Sequence, residues 1–264
     1  MVSKKSTWQK NKKQDSPRLN NTFWIFGLHA VRDALRNPKR EKMRLLVTKN
    51  ALQKLTVEIA EAHIEPEIVD PRKLPSVFDL DSVHQGAMLE VKPLNWESLE
   101  SILTPIYPTD KIILLDRIND PQNVGAILRS AHVFGARAVI APERYAVRET
   151  GALAKSASGA LEKQPYLCIR NLGETIVKLK NLGYLCLGLD ETGSESLHDF
   201  THYMLDQPVA FILGSEGSGL RMRTKLLCDK LVHIATNNNF TSLNVSNAAA
   251  IALYTLTFKG KSNF

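Results

Sequence analysis

From Phe23 onward the chain alternates short apolar runs with stretches of helical period. In residues 28–36, Ala30, Val31, Ala34 and Leu35 recur at i, i+3 and i+4 spacings, the stripe of an amphipathic helix, and Asn37-Pro38 stops it. Residues 44–47 read as a strand, 51–62 as a second amphipathic helix, and 67–69 and 87–91 as further strands. Prolines 93, 105 and 108 then mark a linker over 94–109, with one short helix at 96–103.

After Asp110 the alternation restarts with longer apolar runs. Residues 111–115 form a continuous apolar strand of the kind buried on both faces. A helix at 123–134 and a strand at 138–141 follow, then a helix at 172–182 and strands at 184–189, 208–213 and 231–234. A nearly all-apolar helix covers 245–258. Strands alternating with helices predict an α/β fold whose mainly parallel sheet is covered on both faces. The division expected is a tail over 1–21, a small α/β unit over 22–93, the linker, and a larger α/β unit over 110–264.

Charge changes this picture in one place. The 264 residues carry 34 Lys+Arg against 27 Asp+Glu, a formal +7. Residues 1–20 hold six basic groups and one acidic, residues 21–93 hold 11 and 10, and residues 94–264 hold 17 and 16. The excess therefore sits in a polar tail with little to bury, expected to be disordered, either a solvated leader or an arm for nucleic acid; a mitochondrial transit peptide is disfavoured because Lys rather than Arg dominates. The longest apolar run, 248–258, is too short for a bilayer span of about 20 residues. No signal peptide opens the chain, and three scattered cysteines give neither a disulfide framework nor a zinc site. These features point to a cytoplasmic protein.

Three segments are candidates for chemistry. The first, Leu114-Leu115-Asp116-Arg117-Ile118-Asn119-Asp120-Pro121-Gln122-Asn123-Val124-Gly125 and on to Arg129, is a buried strand running through a polar turn into a helix. The carboxyl ends of parallel strands are where such sheets bind ligands. Asn123 and Arg129 lie six residues apart, about 240° around a helix, so they share a site only if Asn123 precedes the helix proper; otherwise Asn123 is its N-cap. The second, Leu213-Gly214-Ser215-Glu216-Gly217-Ser218-Gly219, is a Gly-rich turn after a strand, with Glu216 able to bond a ligand or clamp the loop. It is neither a P-loop nor GxGxxG. The third, Thr241-Ser242-Leu243-Asn244-Val245-Ser246-Asn247, crowds hydroxyls and amides at the start of the last helix, where capping needs only one of them. Arg221-Met222-Arg223-Thr224-Lys225 reads equally as phosphate contacts or as a solvated helix face. His84 is the one histidine of interest, with a structural role expected.

In order, spacing and adjacent strands, these segments resemble the three signature motifs of the SpoU (TrmH) family of S-adenosylmethionine-dependent RNA 2′-O-ribose methyltransferases, within the SPOUT superfamily. Lys155–Glu162 resembles that family's Ser-x-Gly-Ala-Leu segment, and the stretch from Phe26-Gly27-Leu28-His29 to His84-Gln85-Gly86 resembles its N-terminal L30e-like RNA-binding domain. The resemblance implies a SPOUT α/β-knot with a deep trefoil knot, a homodimer whose site is completed across the interface, and S-adenosyl-L-methionine as cofactor, with S-adenosyl-L-homocysteine as product and no metal. It implies that Gly214, Ile234 and Leu243 hold the cofactor, and that Asn123, Arg129, Glu216, Ser242 and Asn244 are the functional polar set. Arg129 would clamp a phosphate of the target nucleotide, since a guanidinium holds its proton too firmly to be a good base. Asn123, Ser242 and Asn244 would orient the ribose and Arg129, and Glu216 would fix the site or the dimer. The accessory domain resembles the branch acting on a guanosine of large-subunit (23S) rRNA; tRNA is the alternative substrate, and a non-catalytic RNA-binding or ribosome-assembly protein the alternative class. One departure is Ile234-Ala235-Thr236-Asn237-Asn238, where the family reads Ile-Pro-Met-x-Gly; another is Asn247 at a usually apolar position.

Overall fold

The computed structural model describes residues 22–70, 85–203, 206–237 and 243–258. The basic tail, His84, Asn238 and Ser242 lie outside the described residues.

The first unit is a four-stranded mixed sheet of β1 (Phe23–Phe26), β2 (Lys42–Val47), β3 (Pro66–Ile68) and β4 (Ala87–Val91), in the order β1-β4-β2-β3. β4 runs antiparallel to β1 and β2, and β3 parallel to β2. Helix α1 (Leu28–Arg36) buries the four residues of its predicted stripe. The helix expected over 51–62 is two helices, α2 (Lys49–Lys54) and α3 (Thr56–Ala62). Thr48 starts α2 early by accepting the Ala51 N–H. Leu55 then leaves helical geometry (φ −119°, ψ 12°) with its side chain fully buried, so core packing overrides the helical period there.

The second unit is a seven-stranded sheet of β5 (Lys111–Asp116), β6 (Ala138–Pro142), β7 (Tyr166–Ile169), β8 (Leu185–Leu189), β9 (Glu195–Ser196), β10 (Val209–Gly214) and β11 (Lys230–His233). Every pairing in the order β7-β6-β5-β10-β8-β11-β9 is parallel, as the continuous apolar runs predicted. Helices α4 (Leu99–Leu103), α5 (Pro121–Val133), α6 (Gly151–Ala157), α7 (Leu172–Asn181), α8 (Leu197–Tyr203), α9 (Met222–Leu227) and α10 (Val245–Thr257) connect and flank the strands.

Alternate residues of each central strand enter different cores. Ile113, Leu115, Phe211 and Leu213 pack with α5, α6 and α10, while Ile112, Leu114, Ala210 and Ile212 pack with α4 and α7. The first of these cores is continuous with that of the small unit, taking in Ile25, Val31, Leu35 and Leu89. A buried ion-pair cluster joins the units as well. Arg40 of the small unit has a fully buried side chain and contacts Glu149 and Glu162 at 2.8 Å each. Among the described residues no helix is long and apolar enough to cross a membrane.

Candidate active site

Strand order dictates where a ligand can sit. From β5 the chain steps outward through β6 and β7, then returns to build β8 on the far side of β10. The carboxyl ends of β5 and β10 are paired at Asp116 and Gly214, at this reversal, and ligands of open α/β sheets lie in the crevice there.

A cavity of about 680 Å³ opens beside that point, over the carboxyl ends of β8, β10 and β11. The Gly214–Gly219 turn, the 233–236 segment after β11, and Leu243 with the start of α10 form its walls. Gly214, Ile234 and Leu243, the three residues expected to hold cofactor, all line it. The turn is tight: Ser215 and Gly219 form an isolated bridge, and Gly219 N–H donates to Ser215 O at 2.9 Å. A Cβ on Gly214 would collide with the backbone of Gly219 and Leu220, so only glycine allows this approach. Leu243 is 40% exposed, an apolar residue available to a flat ring. A cavity of this size, its lining more polar than apolar but with apolar patches at Leu189, Leu213, Ile234 and Leu243, fits a nucleoside-type cofactor.

Three motif residues meet at its rim. Asn123 Nδ2 donates to Glu216 Oε1 at 3.1 Å, Asn244 Nδ2 donates to the same oxygen at 2.7 Å, and Asn244 Nδ2 also reaches Asn123 Oδ1 at 2.9 Å. Asn244 is at once the N-cap of α10, its Oδ1 accepting the Ser246 and Asn247 N–H groups. One side chain therefore starts the helix and holds the carboxylate.

The structure corrects the reading of Asn123. Asp120, not Asn123, is the N-cap of α5, accepting the Gln122 and Asn123 N–H groups at 3.2 Å each. With Pro121 at the first helical position, Asn123 stands inside the helix. Six residues of helix then turn Arg129 away from it: Asn123 is buried in the rim cluster, and Arg129 is exposed. The Arg129 side chain makes no hydrogen bond or ion pair among the described residues. The geometry unites Asn123, Glu216 and Asn244 and leaves Arg129 outside them.

Several residues that sequence reasoning missed surround the cleft. Asp190, directly after β8, lines it and pairs with Lys225 at 2.8 Å. Burial alone would raise the Asp190 pKa, but hydrogen bonds from Lys225 and Thr192 outweigh it and hold the carboxyl below its usual range. His233 also lines the cleft, its Nδ1 3.0 Å from Gly193 O. Position at a parallel strand's carboxyl end was the signal available for both. Beneath the site Asp116 is fully buried; it accepts from Thr224 Oγ1 at 2.7 Å and from Arg221 N at 3.2 Å, and pairs in charge with Arg221 Nε at 2.8 Å. Arg221 and Lys225 are thus anchors of α9 to the sheet rather than free cations. Among the described residues no three His, Cys, Asp or Glu side chains gather as a metal-ion site.

A glycine-walled cleft over the carboxyl ends of parallel strands is the place where α/β proteins of the nucleotide-cofactor-binding class take their ligand. Residues 110–254 match the model of the SpoU rRNA Methylase family, and residues 24–97 match that of the RNA 2′-O ribose methyltransferase substrate-binding domain. The chain belongs to the SpoU rRNA Methylase family. It is 35% identical over 237 residues to the 23S rRNA (guanosine-2′-O-)-methyltransferase RlmB of Photobacterium profundum, covering 87% of this chain and 95% of that one. To the RlmB of a Burkholderia species it is 41% identical, over 65% of this chain and 68% of the other. In structure it is similar to the SpoU methyltransferase AviRb from Streptomyces viridochromogenes, with a TM-score of 0.76, 24% identity, and coverage of 92% and 91%. The complex of AviRb with AdoMet gives a TM-score of 0.73 at 22% identity, with 92% of each chain covered.

Proposed function

We propose that this chain transfers a methyl group from S-adenosylmethionine to the 2′-hydroxyl of a guanosine ribose in 23S rRNA. The observation that carries this reading is the meeting of Asn123, Glu216 and Asn244 on one carboxylate oxygen at the rim of the glycine-walled cleft. The relatives named RlmB support the substrate, since they match along both units. Bound cofactor supplies an already activated methyl sulfonium. The chain's own task is then to hold the acceptor hydroxyl in line and to ease its proton away.

Gly214, Ile234 and Leu243 would hold the cofactor, with Gly217 and His233 beside them in the cleft wall. Asn123, held by Glu216 and Asn244, would present its remaining amide N–H to the ribose, with Asn244 and Glu216 fixing its orientation and Ser242 as a further hydroxyl. Arg129, a permanent cation with five donors, would grip the phosphate next to the target ribose and lower the hydroxyl's pKa through its charge.

A homodimer accounts for the position of Arg129. Arg129 and Val133 are one turn apart on one face of α5, and Val133 is 73% exposed. Phe134, Tyr254 and Phe258 continue this apolar surface, Tyr254 lying 6.1 Å from Phe134 and 4.9 Å from Phe258 between ring centroids. A second copy covering it would bring Arg129 to the seam, where a site shared between subunits would use it. The trefoil knot, the division into an RNA-binding unit over 22–93 and a methyltransferase unit over 110–264, and a cytoplasmic location belong to the same reading.

Labelled-methyl transfer tests it. Purified protein with unmodified 23S rRNA and with tRNA, followed by ribose mapping, should give one 2′-O-methylguanosine in the rRNA. Label in tRNA alone would replace the substrate. Calorimetry showing no S-adenosylmethionine binding would favour a non-catalytic RNA-binding protein.

A further inference from the structure

Four non-glycine residues among those described hold a positive φ: His63, Gln85, Arg117 and Ser158. Three have local reasons. His63 and Ser158 close α3 and α6, where a left-handed residue is the ordinary helix end. Gln85 precedes Gly86 in a turn, and its Oε1 accepts the Leu28 N–H at 3.1 Å. Arg117, at φ 65°, closes no helix. It follows β5 directly, in a conformation that glycine holds freely and a long side chain does not. Strained residues of this kind cluster where a ligand is gripped.

Its side chain explains what the strain secures. Arg117 Nη2 donates to Ser218 Oγ at 3.3 Å, and Ser218 Oγ lies 2.7 Å from Ser215 Oγ, so the guanidinium is held against the Gly-rich turn. Its Nε is shut from solvent and finds no acceptor among the described residues. The adjacent carboxylates are already engaged: Asp116 by Arg221 and Thr224, Asp120 by the first N–H groups of α5. Ser218 lines the cofactor cleft and Arg117 does not, so the guanidinium braces the turn from outside that lining.

We propose that Arg117 is a phosphate receptor for the RNA strand at the mouth of the site, separate from Arg129. A guanidinium presents paired donors that match two phosphate oxygens, and here the outer pair, Nη1 and Nη2, makes only the one bond to Ser218 among the described residues, while the buried Nε faces inward. The strained backbone and the Ser218 bond fix it before RNA arrives, so little ordering remains to be lost on binding. The proposal rests on the reading of the chain as an RNA methyltransferase.

The test compares wild type, R117G, R117Q and R117K on an unmodified 23S rRNA transcript. RNA affinity is read by filter binding from about 50 to 300 mM salt, because each phosphate neutralised adds about 0.7–0.9 to the log–log salt slope. R117G and R117Q should lose about one such increment and bind about three- to tenfold more weakly at about 100 mM salt. R117K should keep the slope with reduced affinity. R117G relieves the backbone, so its Tm should equal or exceed that of wild type, and calorimetric S-adenosylmethionine affinity should not change. A wild-type slope in both R117G and R117Q overturns the proposal. A lower Tm with unchanged slope would make Arg117 a structural tie, and weaker cofactor binding with unchanged slope a cofactor residue; either overturns it too. Methyl transfer by wild type is measured on the same transcript. A wild type that binds RNA but transfers no methyl sinks the enzymatic reading while the slopes still decide Arg117; a wild type that binds no RNA sinks both.

Discussion

Glu216 receives two amide N–H donors on one carboxylate oxygen, from Asn123 on α5 and Asn244 at the start of α10. Hydrogen bonds to a charged acceptor contribute about 1.5–3 kcal/mol each, more than neutral ones. E216Q keeps the shape and an acceptor oxygen but removes the charge, so both charge-assisted bonds become weaker neutral ones. Methyl transfer should fall at least tenfold, by the loss of about 1.4 kcal/mol or more of positioning, while the far-UV spectrum and Tm change little. Transfer at the wild-type rate would show that the carboxylate is not needed to fix the asparagines. All three residues were legible as polar groups at strand or helix ends. Their meeting on a single oxygen was not, because it depends on where the ends of β5 and β10 and the start of α10 fall in space. The Asn123 error had a readable cause: in Asp120-Pro121-Gln122-Asn123 the proline fits the first helical position and the aspartate the cap, which moves the helix start back to 121.

At the scale of elements, α5 carries both Asn123 and Arg129, and its angle is set by α6. Gly125 is the point of closest approach, where a Cβ would strike Ser156 Cβ and lie 2.8 Å from Ala157 N. The obstacle is largely backbone and has little room to yield. G125A should cost about 1–3 kcal/mol by overpacking, a fall of a few degrees in Tm for a chain of this size at about 2–4 °C per kcal/mol. It should also lower methyl transfer beyond what the stability loss explains, since α5 must move. A Tm and a transfer rate both like wild type would mean the helices slide apart at no cost. The long apolar strands were visible from the chain because burial on both faces makes continuous runs. Helix α6 was not: its seven residues are too few to show a period, and its start depends on Thr150 accepting the Leu153 N–H. The break at Leu55 was hidden for the opposite reason, since apolar spacing continues through it and only the tertiary burial of Leu55 stops the helix.

Across the whole molecule, the small unit is fixed to the large one by more than the chain between β4 and β5. Arg40 spans the boundary, its Nε and Nη2 donating to Glu162 at 3.0 and 2.8 Å and its Nη1 to Glu149 and to Lys92 O. Composition described both units as nearly neutral and so concealed this cluster; only the fold brings residues 40, 149 and 162 together. Removing the cation strands two buried carboxylates, and breaking a buried pair costs about 3–5 kcal/mol. R40M should therefore lose about that much in urea denaturation, and R40M/E149Q/E162Q should recover a large part of it. Equal stability of R40M and wild type would mean the cluster is wet and weak. Glu149 adds a pH signature. Burial pushes its carboxyl above the usual 4.5, and the opposing pull of Arg40 does not cancel that. The folded chain thus binds this proton more tightly than the unfolded chain does. Its stabilising share is present in full below the ordinary pKa and is lost as pH rises through the elevated one. E149Q has no such proton to lose. Measured by urea midpoints from about pH 4 to pH 8, wild type should lose stability relative to E149Q as pH rises, then run parallel once Glu149 is ionised in both states. Curves parallel from the acid end would show that Arg40 fully offsets the burial of Glu149, making the cluster as favourable ionised inside the protein as in water.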